Sequence, residues 1–226
     1  MLSKAAEDYL KAIYVLHRRD GGPVSTSAIA TYLDVKPPTV TSMAEKLEDR
    51  GLVDREKYKG VTLTTEGEAV ALAVIRHHRL LEAYLTEHLE YDWSEVHAEA
   101  DVLEHHISDR FAERIAELLG DPTVDPHGDP IPSASLDPLE RPTDTRLDEY
   151  HEGDTVVVQR VSDRNEEELR YLSDAGIRPD TRLDVVEVAP FGMVTVRPES
   201  RENTVSLPDN VACKVHVEPV ERREAA

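Results

Sequence analysis

A mainly α-helical chain with a small C-terminal β domain is the predicted fold, and three observations predict it. Residues 1–64 run helix, helix, short turn, helix and hairpin, the order of a winged helix-turn-helix. Residues 65–140 are helical and carry histidines and carboxylates at helical spacing. Beyond a proline-rich stretch lie short β-type runs that read as an SH3-like barrel, giving a last segment of 141–226.

The elements follow in order. SKAAEDYLKAIYVLHRR is an amphipathic helix, apolar at Tyr9, Leu10, Ile13, Val15 and Leu16, and Gly21-Gly22-Pro23 ends it. VSTSAIATYLDV gives a short second helix, with Ser25 or Ser27 able to cap it. KPPTVTSMAEKLEDRG gives a third, its prolines suited to a first turn and Gly51 to a stop. LVDREKYKGVTLT reads as a hairpin turning near Lys59-Gly60. From Thr65 a long helix runs through EGEAVALAVIRHHRLLEAYLTEHL, and Ser94 is placed to cap the next. SDRFAERIAELLG continues helically to Gly120, and the six prolines of residues 121–142 predict an extended linker. TVVVQRV, RLDVVEV, MVTV, NTVSL and KVHV supply five strands, with EEELRYLSDAGI as one helix between the first two.

The net charge of −20 taken alone argues against nucleic acid, but the charge is unevenly spread along the chain. Residues 1–64 hold ten Lys and Arg against nine Asp and Glu, and six of the seven lysines, so this segment remains compatible with a DNA partner. The rest of the chain is strongly acidic, a composition similar to that of proteins from salt-loving organisms. The single cysteine, Cys213, excludes an intramolecular disulfide and fits a reducing compartment. No apolar run is long enough to span a membrane and MLSKAAEDYL has no signal-peptide pattern, so the expectation is a soluble, cytoplasmic protein.

The chemistry concentrates in HAEADVLEHHISD. His97, Asp101, Glu104 and His105 stand at i, i+4, i+7 and i+8, on one helical face about 100° wide. Val96, Ala100, Leu103 and Ile107 form an apolar stripe beside it. A second helix carries His78 and Glu82 at i and i+4. Imidazole with carboxylate is a donor set for a first-row divalent metal. A solvated charged face is the alternative for any one of these histidines, less so for the set. HExxH, a P-loop, GxGxxG and a Ser-His-Asp order are absent.

With AAEDYLKAIYVL, PPTVTSMAEKLEDRGLV, IRHHRLLEAYL, VHAEADVLEHHISD, PHGDPIP, RYLSDAGI and APFG in this order, nearly the whole chain resembles the diphtheria-toxin-repressor family of metal-dependent transcriptional regulators. The resemblance implies a primary, activating metal site at Asp8, Asp101, Glu104 and His105. It implies an ancillary site at His78, Glu82 and His97, completed from the SH3-like domain by Glu168. The family's other carboxylate there aligns with Asn165, so Glu166 or Glu167 replaces it or the site is weaker. Iron-responsive members place Met and Cys where Asp8 and Asp101 stand, so the resemblance favours Mn²⁺, with Fe²⁺ the alternative. Manganese-responsive members have a further carboxylate at the position of Lys11.

A recognition helix of this kind presents Pro38, Thr39 and Ser42 to base edges, while Lys46, Arg55, Lys57 and Lys59 suit phosphates. Few strong base-reading side chains project from it, so DNA shape carries weight; contact with a protein is the alternative use of the fold. The expected molecule is a homodimeric, metal-activated repressor of metal-homeostasis genes, binding a double-stranded inverted-repeat operator. The rival is a metalloenzyme using the histidine–carboxylate set for hydrolytic or redox chemistry.

Overall fold

The computed structural model describes residues 2–56, 59–139, 145–190 and 192–220. The chain forms two compact units, one of Met1–Leu81, Asp101–Leu118 and Ile131–Arg141, the other of Glu82–Ala100, Leu119–Pro130 and Pro142–Ala226. The helical middle segment read from sequence is thus divided between them.

In the first unit, α1 (Lys4–Asp20) starts at Ser3, whose hydroxyl accepts the Ala6 amide at 3.3 Å. Ser25 caps α2 (Thr26–Tyr32), accepting the Ala28 amide at 3.1 Å. The turn into α3 (Pro37–Glu48) passes through Asp34 at φ 51°, and prolines begin the helix where no amide donor is missed. Strands β1 (Val53–Glu56) and β2 (Gly60–Leu63) pair antiparallel from Val53↔Leu63 to Glu56↔Gly60, forming the wing. α4 (Thr65–Leu89) leaves the wing so closely that a Cβ at Gly67 would lie 1.9 Å from the Leu52 carbonyl oxygen. Leu10, Ile13 and Leu16 of α1, Ile29 of α2, Val40 and Leu47 of α3 and Leu72 of α4 build one core. α5 (Val96–Leu103) and α6 (Asp109–Leu118) follow.

Residues 131–139 are not a free linker. Arg76 Nη1 donates to the Pro132 carbonyl at 2.5 Å, and the Leu139 amide donates to the Tyr14 hydroxyl at 3.2 Å. Arg18 donates to the Leu139 carbonyl, and Leu136 and Leu139 pack on the first core.

The second unit holds β3 (Thr145–Arg146), β4 (Thr155–Val161), α7 (Glu166–Asp174), β5 (Arg182–Ala189), β6 (Met193–Pro198), β7 (Val205–Pro208), α8 (Asp209–Ala212) and β8 (Val215–Pro219). Its six strands run antiparallel in the order β3-β8-β4-β5-β6-β7. β3 is two residues long, too short to carry a strand pattern, hence six strands among the described residues where five were expected. A register shift between Val158 and Arg160 explains why Val156, Val158 and Val161 all face the core although their spacing breaks alternation. Among the described residues, no helix is long and apolar enough to cross a membrane.

Candidate metal centre

Within the first unit, Asp8 and Glu7 come from α1 and Asp101 from the end of α5. The single helical stripe expected from His97 to His105 is corrected by the structure. α5 stops at Leu103, and Glu104 and His105 lie in a turn closed by the His106 amide on the Leu103 carbonyl at 2.8 Å. Nor does Ser94 cap α5: its amide and hydroxyl both donate to Asp92 Oδ1, at 2.8 and 2.6 Å.

His105 is held from behind. Its Nδ1 lies 2.6 Å from Glu7 Oε2, so a neutral ring that donates from Nδ1 to Glu7 turns the Nε2 lone pair toward the site. That Nε2 is buried without a hydrogen bond, 2.9 Å from Asp8 Oδ1 and 3.3 Å from Glu104 Oε1. A carboxylate behind and a lone pair in front is how proteins orient a metal-ligating imidazole. The donor atoms of Asp8, Glu104 and His105 lie within 4.8 Å of one another, and two hard oxygens with one imidazole nitrogen fit a first-row divalent ion. Burial raises the Asp8 pKa above the ordinary carboxylate range, against the pull of His105. Burial pushes Glu104 the same way, but His78 and Lys11 override it and hold this carboxyl low.

Asp101 and His78 stand beside this set around Lys11, with His78 Nδ1 2.6 Å from Glu104 Oε2 and 3.3 Å from Asp101 Oδ1. Burial would lower the Lys11 pKa, but Glu104 and Asp101 push it up to about 12.

The second unit assembles another set. His97 Nδ1 lies 3.0 Å from Glu82 Oε1 and 3.2 Å from Asp163 Oδ2. Glu82 also joins Asp125 and His127, with His127 Nδ1 3.8 Å from Glu82 Oε2. The proline-rich segment builds this corner. Asp125 Oδ1 accepts the amides of His127 and Asp129 at 2.8 and 3.0 Å, and the turn closes through Gly128 at φ 90°. A Cβ at Gly128 would lie 2.0 Å from the Gln159 carbonyl oxygen, so the turn seats against β4 only as glycine. His127 Nε2 meets the Trp93 carbonyl at 2.9 Å, so that when the ring is neutral with its proton on Nε2, the buried Nδ1 is the free lone pair facing Glu82. The same second-partner logic as at His105 recurs, with a backbone carbonyl in place of Glu7.

Lys214 Nζ holds both oxygens of Glu168, at 2.7 and 2.5 Å, and Asp163 faces His97. Asn165 caps α7, accepting the Glu168 amide at 3.0 Å, and Glu166 pairs with Arg170. No helical periodicity marks Glu7, Asp125, His127 or Asp163, so they fall outside the residues expected from sequence.

Burial opposes charge on His97 and His127, but Asp163 and Glu82 push His97 up to about 11, and Glu82 with Asp163 pushes His127 up to about 9. The same His97 contact holds Asp163 below the ordinary carboxylate range despite its burial. Both imidazole pKa values are raised above that of an unfolded histidine. Their pairing therefore stabilises the metal-free fold fully below about pH 6.5 and is lost as pH rises through about 9 and then about 11. In excess chelator, the melting temperature of the second unit is expected to fall as pH rises from about 7 to about 9. A flat or rising midpoint across that window, followed by circular dichroism, contradicts this assignment.

Pro38, Thr39, Ser42 and Lys46 are exposed on α3, opposite buried Val40, Ala44 and Leu47. Arg55 is drawn onto α3, 3.4 Å from both Glu45 and Glu48, and Lys59 lies 2.6 Å from Glu56. Such solvent-screened pairs hold their side chains weakly, so phosphate can displace them. Lys57 lies outside the described residues.

Comparison with known proteins bears on the whole chain. Residues 1–61 match the iron-dependent repressor N-terminal DNA-binding domain, and residues 64–133 the iron-dependent repressor metal-binding and dimerisation domain. Residues 145–219 match the FeoA domain. The chain is 35% identical over 230 residues to the iron-dependent repressor IdeR of Mycobacterium tuberculosis, covering 97% of this chain and 99% of that protein. It is 32% identical over 229 residues to the diphtheria toxin repressor of Corynebacterium glutamicum, covering 97% and 98%. A solved manganese-dependent transcriptional repressor in complex with manganese superposes with a TM-score of 0.87 at 41% identity, over 95% of this chain and 100% of that one. By sequence along its length and by fold, the chain belongs to the family of the iron-dependent repressors and the diphtheria toxin repressor.

Proposed function

We propose that this chain is a metal-activated, homodimeric repressor acting in the cytoplasm on an inverted-repeat operator, and that it controls genes of metal uptake or storage. Asp8, Glu104 and His105 form the activating site with Asp101 at its edge. Glu82, His97, Asp163, His127 and Asp125 form the ancillary site, with His78 one helical turn before Glu82. Mn²⁺ is the proposed ion and Fe²⁺ the alternative, because Asp8 and Asp101 supply oxygen where sulfur favours softer ions.

The observation that carries this reading is the meeting of Asp8 with Glu104 and His105. Asp8 sits on the helix that leads into the helix-turn-helix, and its partners come from the turn that follows α5. A bound divalent ion supplies the positive charge that lets these carboxylates converge. Val102 of α5 and Phe111 and Leu118 of α6 are exposed, the last two seven residues apart on one face. An apolar face of that kind suits a second copy of the chain.

The test combines metal analysis, dimer mass and an operator mobility shift with Mn²⁺, Fe²⁺ or chelator. Operator binding that ignores both metal and chelator contradicts the proposal. Salt supplies a second expectation. Counterion release makes an ordinary basic DNA binder lose affinity steeply with salt. With its near-neutral first 64 residues and acidic remainder, this chain is expected to bind its operator in molar KCl with a shallow salt slope. A steep collapse of affinity rejects the salt-adapted reading.

A further inference from the structure

His77 lies off the face of α4 that carries His78 and Glu82, yet its side chain is only 12% exposed. Its Nδ1 lies 3.3 Å from the backbone carbonyl of Glu104. A carbonyl oxygen only accepts, so the ring meets it as a donor. The next residue, His78, reaches the other end of Glu104, its Nδ1 2.6 Å from Oε2. Successive residues of a helix diverge by about 100°, so α4 holds Glu104 from two directions, by its main chain and by its carboxylate.

This double hold falls where the chain has least support of its own. α5 ends at Leu103, and Glu104 and His105 lie in the turn beyond it. Carbonyls at a helix end lack partners within the helix and depend on outside donors. Rotation of the Glu104 main chain swings its carboxylate and, one residue on, the His105 imidazole. Both belong to the set with Asp8 whose ligand atoms lie within 4.8 Å of one another. One loose peptide therefore misplaces two of the three donors at once. The other ring nitrogen of His77, Nε2, lies 3.3 Å from Oδ1 of Asp109, the first residue of α6. That carboxylate is 91% exposed, so water screens the pair and it adds little hold.

We infer that His77 is a positioning residue of the primary centre: it holds no metal itself and aims Glu104 and His105 through the Glu104 carbonyl. This rests on the metal-dependent reading above and extends it to a residue outside the ligand set. Outer partners of this kind fix the ligands before the ion arrives, and their loss lowers metal affinity by about 10- to 100-fold with every ligand still present.

The experiment uses the full chain, intact or carrying His77→Phe, His77→Asn or Asp109→Asn, and titrates operator binding against Mn²⁺. Phe keeps a ring and has no donor, whereas Asn offers an amide N–H close to where Nδ1 stands. His77→Phe is expected to raise the Mn²⁺ midpoint by about 10-fold or more, yet to reach the operator affinity of the intact chain at excess Mn²⁺. His77→Asn is expected to recover most of that loss, and Asp109→Asn to leave the midpoint in place. An unmoved midpoint in a folded His77→Phe overturns the inference. So does a loss that His77→Asn fails to recover, or an equal loss in Asp109→Asn, which assigns the effect to the contact with α6. Should His77→Phe fail to fold, as circular dichroism in chelator reads, His77→Gln takes its place, its amide one methylene farther out. Equal midpoints in His77→Gln and His77→Asn then overturn the inference. Operator binding that ignores Mn²⁺ in the intact chain overturns the metal-dependent reading and this inference with it. Metal dependence in the intact chain with His77→Phe unmoved overturns the inference alone.

Discussion

Asp8→Ala is expected to cut metal-stimulated operator affinity by about 100-fold, roughly 2.7 kcal/mol, while leaving the dimer intact. Asp8 supplies the oxygen 2.9 Å from His105 Nε2 and, as the proposed ligand, joins α1 to the turn after α5. Metal can favour the DNA-competent state only by binding it more tightly, and by linkage DNA then tightens metal by the same factor. Removing the oxygen that ties the helix-turn-helix to the site removes that difference. The second set, Glu82, His97 and Asp163, is untouched, so the variant is still expected to take up metal there. Asp8 is only partly buried, and its loss leaves the apolar core in place. Operator titrations against Mn²⁺ in wild type and variant, with light scattering for dimer mass, provide the measurement. Metal-dependent binding at wild-type affinity in Asp8→Ala removes Asp8 from the switch.

Trp93→Ala is expected to destabilise the second unit by about 3–5 kcal/mol and to weaken its metal set at the same time. Trp93 is 4% exposed within the core formed with the sheet. Its indole N–H donates to the Pro126 carbonyl at 2.7 Å, and its own carbonyl meets His127 Nε2. The indole and imidazole rings lie 5.0 Å apart, and the Arg178 guanidinium covers the indole at 5.3 Å. One side chain therefore fills the core and pins the segment that aims His127. Trp93→Phe keeps most of the ring and loses the N–H, leaving the Pro126 carbonyl without that donor at a cost of about 1–3 kcal/mol. Urea unfolding by circular dichroism, with metal content measured on the same samples, separates the two variants. A Trp93→Ala protein that unfolds at the wild-type urea midpoint with its metal complete refutes the coupling.

The helices were legible because their signals are local. Ser25 at a cap, Pro37 and Pro38 in a first turn and the apolar spacing of α1 all act within a few residues. His78, Glu82, His97, Asp101, Glu104 and His105 stood out by helical spacing, although α5 ends before the last two. Asp8 and Lys11 gained meaning from family resemblance alone, since nothing in α1 announces partners some 90 residues away. The proline-rich stretch misled for a physical reason. Prolines forbid regular elements, which reads as a linker, yet the turn that Asp125 builds is made of side-chain acceptance and a positive-φ glycine. Asp163 sits just before α7 with no periodicity to mark it, so Glu168 drew the eye instead. Its engagement by Lys214 depends on a pairing across 46 residues.

The return of residues 131–139 onto α1 bears on biosynthesis. Tyr14 and Leu139, which meet in the finished first unit, are 125 positions apart. On the ribosome, α1, α2, α3 and the wing emerge and fold long before the segment that lies across them. The nascent DNA-reading segment therefore carries an uncovered apolar strip, where Leu136 and Leu139 will later pack, until translation has passed well beyond residue 139. A gene truncated after α6 would make that state permanent, and its product would display an apolar strip that the full-length chain covers.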